Sequence, residues 1–296
     1  MLQTLRMLRL APISFVLLWA SSFIAARVGL RFLSPLLFVT VRLIAASIVL
    51  CCIMLLLGRR WRNLAGRWGH CAVSGVLTNT VLLMTAHYAM VHTTAAPIAL
   101  VQTLNPLLTA LLAWPLLGEQ LRPLQWLGLL TGAAGVLLVV GLAARRSSVE
   151  LNGLLLTGGG VIALCSGTLY FGRFCRGVPI LEGTTVQLVA AAIAGVVATA
   201  VFETPHAVWN EQAIGAIVWN AGAVSLGGMA LYYLMLKHGT AARATSNFYL
   251  VPGTAAFMAW LLLGEPLSAL TLVGLAVSSL GCWLVSRRQP AVIAVA

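Results

Sequence analysis

The chain has 296 residues, of which 60% are hydrophobic and 8% are charged, and it contains no aspartate. Its mean hydropathy is +0.99, and since soluble domains carry about 25% charged residues, this composition excludes a soluble globular fold. The net charge of +12 does not indicate a nucleic-acid partner, because the basic residues collect in loops on one side of the predicted membrane, as they do in cytoplasmic loops.

Ten apolar runs are long enough to cross a bilayer, since a spanning helix needs roughly 20 residues for about 30 Å of hydrocarbon. In chain order they cover 11–32, 34–57, 70–91, 95–117, 124–143, 151–172, 181–202, 212–235, 242–263 and 267–286. Helices are favoured over barrel strands because the runs are continuously apolar and lack a period-two alternation. The sequence therefore predicts an all-α integral membrane protein with ten transmembrane helices.

The two halves of the chain repeat each other. Residues 106–140 and 252–286 align without a gap at an offset of 146 (252 − 106 = 146), and 15 of the 35 positions are identical. The same offset pairs Arg27 with Arg173. Such an internal repeat fixes the architecture, so we predict two domains, a first five-helix repeat over residues 1–146 and a second over 147–296.

An odd number of spans in each repeat has a functional consequence. The second copy must enter the membrane from the opposite side, which predicts inverted repeats around a central cavity, as in secondary transporters that work by alternating access. The alternative is that duplication only made a larger bundle. The glycines of the fifth span, with a Gly128-x-x-x-Gly132 spacing, permit close helix packing either within the chain or at a dimer seam, and we favour the first.

The basic residues predict the orientation. With alternate loops on opposite faces, 13 lysines and arginines fall on one face and four on the other, so both termini are expected to be cytoplasmic. The pair Arg145–Arg146 lies on the disfavoured face. The first run follows Arg6 and Arg9 as in a signal peptide, but its counterpart in the sixth run indicates that it is retained as a span.

Several motifs resemble one transporter family. They are Trp19–Phe23 (WASSF), Phe38–Arg42 (FVTVR), Leu111–Leu121 (LLAWPLLGEQL), Tyr249–Pro252 (YLVP) and Phe257–Leu267 (FMAWLLLGEPL). Together they resemble the drug/metabolite transporter superfamily and, more narrowly, its ten-helix EamA-type branch. The resemblance covers the full chain and implies a bacterial inner-membrane exporter or exchanger of amino acids and metabolites, or a drug extruder. The polar and aromatic residues of the expected cavity favour aromatic amino acids.

Polar residues inside spans are costly and usually face the bundle interior or a wet cavity. In the fourth span Gln102 and Asn105 share a helical face, and Pro106 beside them frees a backbone carbonyl. The ninth span is its counterpart, with Asn247, Tyr249 and Pro252. We predict that the polar and tyrosine side chains bind substrate and that the two prolines are structural or gating residues, with interhelical hydrogen bonding as the alternative.

Three further spans contribute candidate substrate-binding residues. They are Trp19 and Ser22 in the first span, Thr80, His87 and Tyr88 in the third, and Tyr232 in the eighth. An imidazole such as His87 could donate a hydrogen bond to a substrate carboxylate or titrate near neutral pH, or it could be a satisfied core histidine. Aromatic walls with a few convergent polar groups suit an aromatic amino acid.

Three charged residues are expected to have structural or gating roles. Arg42 lies about eight residues into the second span. It either binds a carboxylate or directs its guanidinium outward or caps helix carbonyls, and we favour the second of these interpretations. Glu119 and Glu265 each follow a glycine at the expected start of a helix, where a carboxylate interacts favourably with the helix dipole. All six glutamates fall at span ends, so uniport or exchange fits better than ion coupling, with proton coupling through His87 as the alternative.

Other functions fit the sequence less well. A carrier of cationic drugs would need a buried carboxylate, and a nucleotide-sugar carrier would need several deep cations. A membrane enzyme with an aspartate-rich Mg²⁺ site is excluded by the absence of aspartate. The six cysteines have neither framework nor ligand spacing, so no metal or cofactor is predicted. The expected partners are a small-molecule substrate and the lipid bilayer, with the protein a monomer or weak dimer.

Overall fold

The computed structural model describes residues 2–59, 64, 66–117, 123–175, 177–228, 231 and 250–286. Within these ranges the chain is helical, and its one β-contact is an isolated bridge between Leu33 and Ala207. We number the helices α1 to α10 in chain order. They are α1 (Leu2–Gly29), α2 (Pro35–Leu56), α3 (Trp68–His92), α4 (Ala95–Gln102 and Leu104–Leu117), α5 (Pro123–Arg146), α6 (Ser148–Phe174), α7 (Ile180–Phe202), α8 (Glu211–Val218 and Trp219–Gly228), α9 (Val251–Leu263) and α10 (Ala269–Ser286).

Six of these helices are long and apolar enough to cross a membrane: α1, α2, α3, α5, α6 and α7. This confirms the prediction of an all-helical, multi-pass membrane protein for the described residues. The fourth predicted span is interrupted at Thr103, and the predicted ninth span begins outside the described residues. The count of ten spans therefore stays a prediction.

Two helices contain a π-helical segment, at Val76–Val81 in α3 and at Trp219–Gly228 in α8. The second segment corresponds in the repeat to residues 73–82, so the two π-segments overlap when one half is laid on the other (219 − 146 = 73). Single π-turns inside α-helices are frequent at functional sites. Both halves therefore depart from regular helix at the same place.

Helix α5 packs antiparallel against α10. Gly132 in α5 approaches Gly281 near the end of α10, whereas Gly135, one turn later in α5, approaches Gly274 near its start. A Cβ on Gly135 would lie 2.7 Å from the Gly274 carbonyl oxygen, so only glycine permits this separation of the two backbones. The glycines of the fifth span thus pack within the chain, as the sequence favoured.

The contacts between α5 and α10 follow the repeat. The Ser278 hydroxyl donates a 3.2 Å hydrogen bond to the Gly132 carbonyl, and these residues are repeat counterparts (278 − 146 = 132). Glycine contacts on either side exchange under the same offset: Gly135 with Gly274, and Gly281 with Gly128. Two antiparallel counterpart helices that cross at counterpart residues have the geometry of a two-fold axis perpendicular to the helices.

The remaining helix pairs follow the same exchange. Helix α3 packs against α6, where glycines of α6 meet the small side chains and backbone of α3. The counterparts α8 and α1 pack likewise, with the Trp219 indole N–H donating a 2.9 Å hydrogen bond to the Ser21 hydroxyl. Helix α2 packs against α7, and α4 against α9. The first segment of α4 is the most enclosed, since Ala95 through Val101 are all buried.

Candidate functional site

An ion pair closes one end of the bundle, where α1 and α3 end and α4 begins. The Arg27 Nε lies 2.8 Å from Glu265 Oε1, and Glu265 Oε2 accepts a 2.9 Å hydrogen bond from the Ala95 backbone N–H. The Arg27 guanidinium also donates to the Met90 carbonyl. We call these four residues the Arg27 latch. It joins α1, α3, α4 and the loop between α9 and α10.

Glu265 does not cap the helix that follows it. The sequence suggested that it opens α10, but α10 begins at Ala269, and the carboxylate instead meets the first turn of α4. Gly264, with φ of 65°, turns the chain at the end of α9 and makes this approach possible. The positive end of the α4 dipole and the Arg27 guanidinium together stabilise the carboxylate.

Of the repeat counterparts of the Arg27 latch, only Arg173 lies in the described part of the chain. Arg173 is the counterpart of Arg27 (27 + 146 = 173), and its side chain is exposed. Its guanidinium lies 5.6 Å from the ring centroid of Phe174 and makes no ion pair with any described residue. Glu119, the counterpart of Glu265, lies outside the described residues. The two ends of the bundle therefore differ at equivalent arginines.

A second group of polar side chains lies within the spans. Arg42 in α2 has an exposed fraction of 9%, and His87 in α3 one of 4%. The Phe38 ring, one helical turn before Arg42 in α2, stacks on His87 with centroids 5.6 Å apart. The expectation that Arg42 directs its guanidinium outward is wrong, because its surroundings in the bundle bury it.

The other candidates of the third span are separated from His87. The Thr80 hydroxyl donates a 2.8 Å hydrogen bond to the Ala191 carbonyl, which is an interhelical contact to α7. Tyr88 is exposed by 44% and faces an open groove of about 800 Å³ between α3 and α6 that is lined mainly by aliphatic side chains. The structure thus brings Thr80 and Tyr88 to different surfaces of α3.

In the fourth span Asn105 joins α4 to α6. Its side-chain oxygen accepts a 3.1 Å contact from the Cys165 thiol and a 3.4 Å hydrogen bond from the Thr109 hydroxyl. Gln102 is half-buried just before the interruption at Thr103. Pro106 falls in the second segment of α4. The alternative of interhelical hydrogen bonding therefore describes Asn105 well.

The first-span candidates lie between α1 and α8. Trp19 is half-buried and its ring centroid is 5.3 Å from that of Phe15, and a Cβ on Gly228 would lie 3.4 Å from the Trp19 ring. Ser22 is half-buried. Pro252 lies in the first turn of α9, where it begins the helix and does not interrupt it. The candidates Tyr232, Asn247 and Tyr249 lie outside the described residues.

Sequence reasoning missed two buried polar residues. Asn220, in the π-segment of α8, is fully buried, and its Oδ1 has no hydrogen-bond partner. Glu182, in the first turn of α7, is 1% exposed, and its Oε1 also lacks a partner. Asn220 could have been found from the sequence, because it is an asparagine inside an apolar run. Nothing in the sequence distinguished Glu182 from the other glutamates at span ends.

Several known proteins similar to this chain are named as transporters. YvbV of Bacillus subtilis (strain 168), an uncharacterized transporter, is 23% identical over 93% of this chain and 90% of its own length. The uncharacterized inner membrane transporter YedA of Escherichia coli (strain K12) is 26% identical over 90% of this chain and 86% of its own length. The uncharacterized transporter PA0485 of Pseudomonas aeruginosa is 30% identical over 63% of each chain.

One protein of known crystal structure shares the fold, with a TM-score of 0.67 at 21% identity over 94% of this chain and 96% of that one. The model of the EamA-like transporter family matches twice, at residues 9–141 and 151–287, once in each repeat. Both matches cover the helices described above. The chain therefore belongs to the EamA-like transporter family and is a multi-pass membrane transporter.

Proposed function

We propose that this protein is a bacterial inner-membrane secondary transporter that exports or exchanges small metabolites by alternating access, with neutral and aromatic amino acids as substrates. Its two inverted five-helix repeats would form the walls of a central pathway, and both termini would lie in the cytoplasm. Alternating access then does not require either repeat to change its fold. It requires only that the repeats exchange conformations, so that the pathway opens on one side as it closes on the other.

The packing of α5 against α10 supports the inverted repeats. An antiparallel pair of counterpart helices that meets at counterpart residues, as Gly132 and Ser278 do, is what a two-fold axis in the membrane plane produces. A duplication in which both copies ran the same way would pair these helices in parallel. The double match of the family model supports the same division of the chain.

The observation that carries the proposal is the difference between Arg27 and Arg173. Counterpart residues should adopt different states at the two ends of a transporter that is open on one side. Arg27 is held by Glu265 at one end, whereas Arg173 is exposed at the other. We therefore assign the Arg27 end to the closed, external side and the Arg173 end to the open, cytoplasmic side.

The difference between Arg27 and Arg173 also gives a role to Glu119 and Glu265, the glutamates of the two repeated motifs. Glu119 is placed by the offset where it could pair with Arg173 and with the backbone N–H of residue 241 (95 + 146 = 241), forming a counterpart of the Arg27 latch. When the protein opens outward, this second latch would form and the Arg27 latch would break. Glu119 and Glu265 would then act alternately as gates, as the sequence suggested.

The function is tested by counterflow in proteoliposomes. Purified protein is reconstituted into vesicles preloaded with an unlabelled compound, and uptake of a radiolabelled one is followed. We expect neutral amino acids to exchange, with phenylalanine, tyrosine and tryptophan giving the fastest rates. Protein-free vesicles give the leak, and vesicles without preloaded substrate separate exchange from uniport.

The panel also contains cationic dyes, a nucleotide sugar and organic acids. Flux of one of these without flux of any amino acid would replace the substrate while keeping a transporter, and would support the alternative of a broad drug or metabolite exporter. If no compound moves faster than in protein-free vesicles, the proposal of secondary transport is wrong.

A further inference from the structure

Arg42 carries a charge that no described residue compensates. It lies about 10 Å of helical rise beyond the start of α2 at Pro35 (42 − 35 = 7 residues at about 1.5 Å each), and nine-tenths of its surface is buried. No carboxylate pairs with it within the described part of the chain, and its guanidinium donates no hydrogen bond there. An unpaired ion inside a protein is costly. A guanidinium kept in such a place is expected to meet an anion during function.

His87 packs against the same face of α2, on the ring of Phe38 one turn before Arg42, and has a defined orientation. Its Nδ1 is 2.7 Å from the Leu83 carbonyl oxygen. Because a carbonyl can only accept, Nδ1 carries the proton, and Nε2 of the neutral ring is then an acceptor. Stacking on Phe38 holds the ring in this position, and Nε2 is buried without a partner.

The two groups are complementary to the two ends of a zwitterion. A guanidinium donates two parallel hydrogen bonds to a carboxylate, and a neutral imidazole nitrogen accepts one from an ammonium group. An α-amino acid carries both groups on the same carbon atom. The same pair would recognise an isolated carboxylate less well, because the acceptor Nε2 would stay unsatisfied.

We propose that Arg42 and His87 form the subsite for the α-carboxylate and α-ammonium groups of an amino-acid substrate, with Arg42 binding the carboxylate and His87 Nε2 accepting from the ammonium. This inference rests on the proposed function and names the part of the substrate that is recognised. It also reverses the hydrogen-bonding role that we expected from the sequence, in which His87 donates to a substrate carboxylate.

The subsite belongs to one repeat only. The counterpart of Arg42 is Leu188 (42 + 146 = 188), and Leu188 is buried in an apolar cluster between α2 and α7. A charge in both halves would favour two anions, whereas a single charge fixes one orientation of the substrate. The side chain of the amino acid would then extend away from α2 and be read by other residues of the pathway.

The test compares L-phenylalanine with two analogues that each lack one charged group. They are L-phenylalaninamide, which has no carboxylate, and 3-phenylpropionate, which has no ammonium. Each is measured as a competitor of counterflow, and each is also measured as a stabiliser of the purified protein in thermal unfolding. We expect the wild-type protein to bind L-phenylalanine at least tenfold more tightly than either analogue.

Two substitutions should divide these preferences. Arg42→Gln should abolish discrimination against the amide while keeping discrimination against 3-phenylpropionate, and His87→Phe should do the reverse. Arg31→Gln removes a charge of the same sign from an exposed position after α1 and should behave as wild type. A variant that unfolds would show no unfolding transition, and for that position Arg42→Lys or His87→Asn replaces it, with a partial loss expected.

The outcomes separate this inference from the proposed function. If amino acids do not exchange but 3-phenylpropionate stabilises the wild-type protein and not Arg42→Gln, the substrate assignment fails while the anion-binding role of Arg42 stands, and the role of His87 is refuted. If wild-type binding does not distinguish L-phenylalanine from its amide, or if Arg42→Gln keeps the full preference, the subsite is wrong.

Discussion

Glu203 belongs to none of the sequence motifs, yet its side chain connects two distant helices. Its carboxylate accepts hydrogen bonds from the Ser34 hydroxyl at 2.7 Å and from the backbone N–H groups of Leu36 and Leu37 at 3.1 and 2.9 Å. These N–H groups belong to the first turn of α2 and have no partner within the helix. Glu203, at the end of α7, therefore caps α2 from 166 residues or more away in sequence.

We predict that Glu203→Gln destabilises the protein by about 1–2 kcal/mol, because an amide keeps only one acceptor and loses the charge that strengthens these bonds. Thermal unfolding of the purified protein in detergent measures the loss. Glu211→Gln is the matched control, since Glu211 is exposed in the first turn of α8. Equal unfolding temperatures for the two variants would show that the cap contributes nothing.

At the same scale, polar residues in spans were found from the sequence but not sorted by it. Asn105 and Thr80 bond neighbouring helices, whereas His87 leaves its Nε2 without a partner and Arg42 is buried with no carboxylate paired to it among the described residues. All four have the same local appearance, a polar residue in an apolar run. Whether such a residue finds a hydrogen-bond partner depends on which groups of the neighbouring helix lie at the same level in the membrane. The hydrophobic periodicity of the sequence does not contain that information.

Among the elements, α5 and α10 form the closest helix pair in the described chain. The sequence has glycines in both helices, and the structure packs these glycines against each other. The two backbones are closest at Gly132, Gly135, Gly274 and Gly281. Helix association in a membrane relies on such packing because lipid tails are as apolar as leucine. This pair joins the two halves of the molecule.

We predict that Gly135→Ala lowers the thermal stability, because its Cβ would lie 2.6 Å from the Ser278 backbone nitrogen and the helices would have to separate. A cost of about 1–3 kcal/mol is typical of such overpacking. Gly141→Ala in the same helix is the control, as nothing lies within 4 Å of its added Cβ. A loss for both variants would point to helix propensity or lipid contacts and not to the α5–α10 contact.

For the whole molecule, the informative feature is that Arg27 forms an ion pair at one end of the bundle, whereas its counterpart Arg173 pairs with no described residue. Two copies of one unit in one molecule share their local sequence preferences. They can still differ where their surroundings in the bundle differ, as Arg27 and Arg173 do. This is the property that alternating access requires.

We predict that Arg27→Gln and Arg173→Gln both lower counterflow, by at least fivefold, whereas only Arg27→Gln lowers the thermal stability of the state described here. The reason is that Arg27 is paired in this state, while Arg173 is exposed and pairs with no described residue. Counterflow and thermal unfolding are measured on the same preparations, with Arg31→Gln as the control.

A charge exchange completes this prediction. The double variant Arg27→Glu with Glu265→Arg should recover part of the counterflow that either single variant loses, because the ion pair can re-form with reversed polarity. If Arg173→Gln transports like the wild-type protein, there is no second latch. If the charge exchange gives no recovery, the Arg27 latch has a role other than that of a reversible gate.

The sequence by itself determined the membrane class, the duplicated organisation and the family, because long apolar runs and a fixed offset are properties of the chain that survive any packing. It also selected the glycines and the motif charges as important. The tertiary structure alone decided their partners: Glu265 meets α4 and not α10, Arg42 is buried and not outward-facing, and Glu203 caps a helix of the other half. These contacts join residues more than a hundred positions apart, and they depend on how each helix is rotated and how high it sits, which are set by packing of the whole bundle.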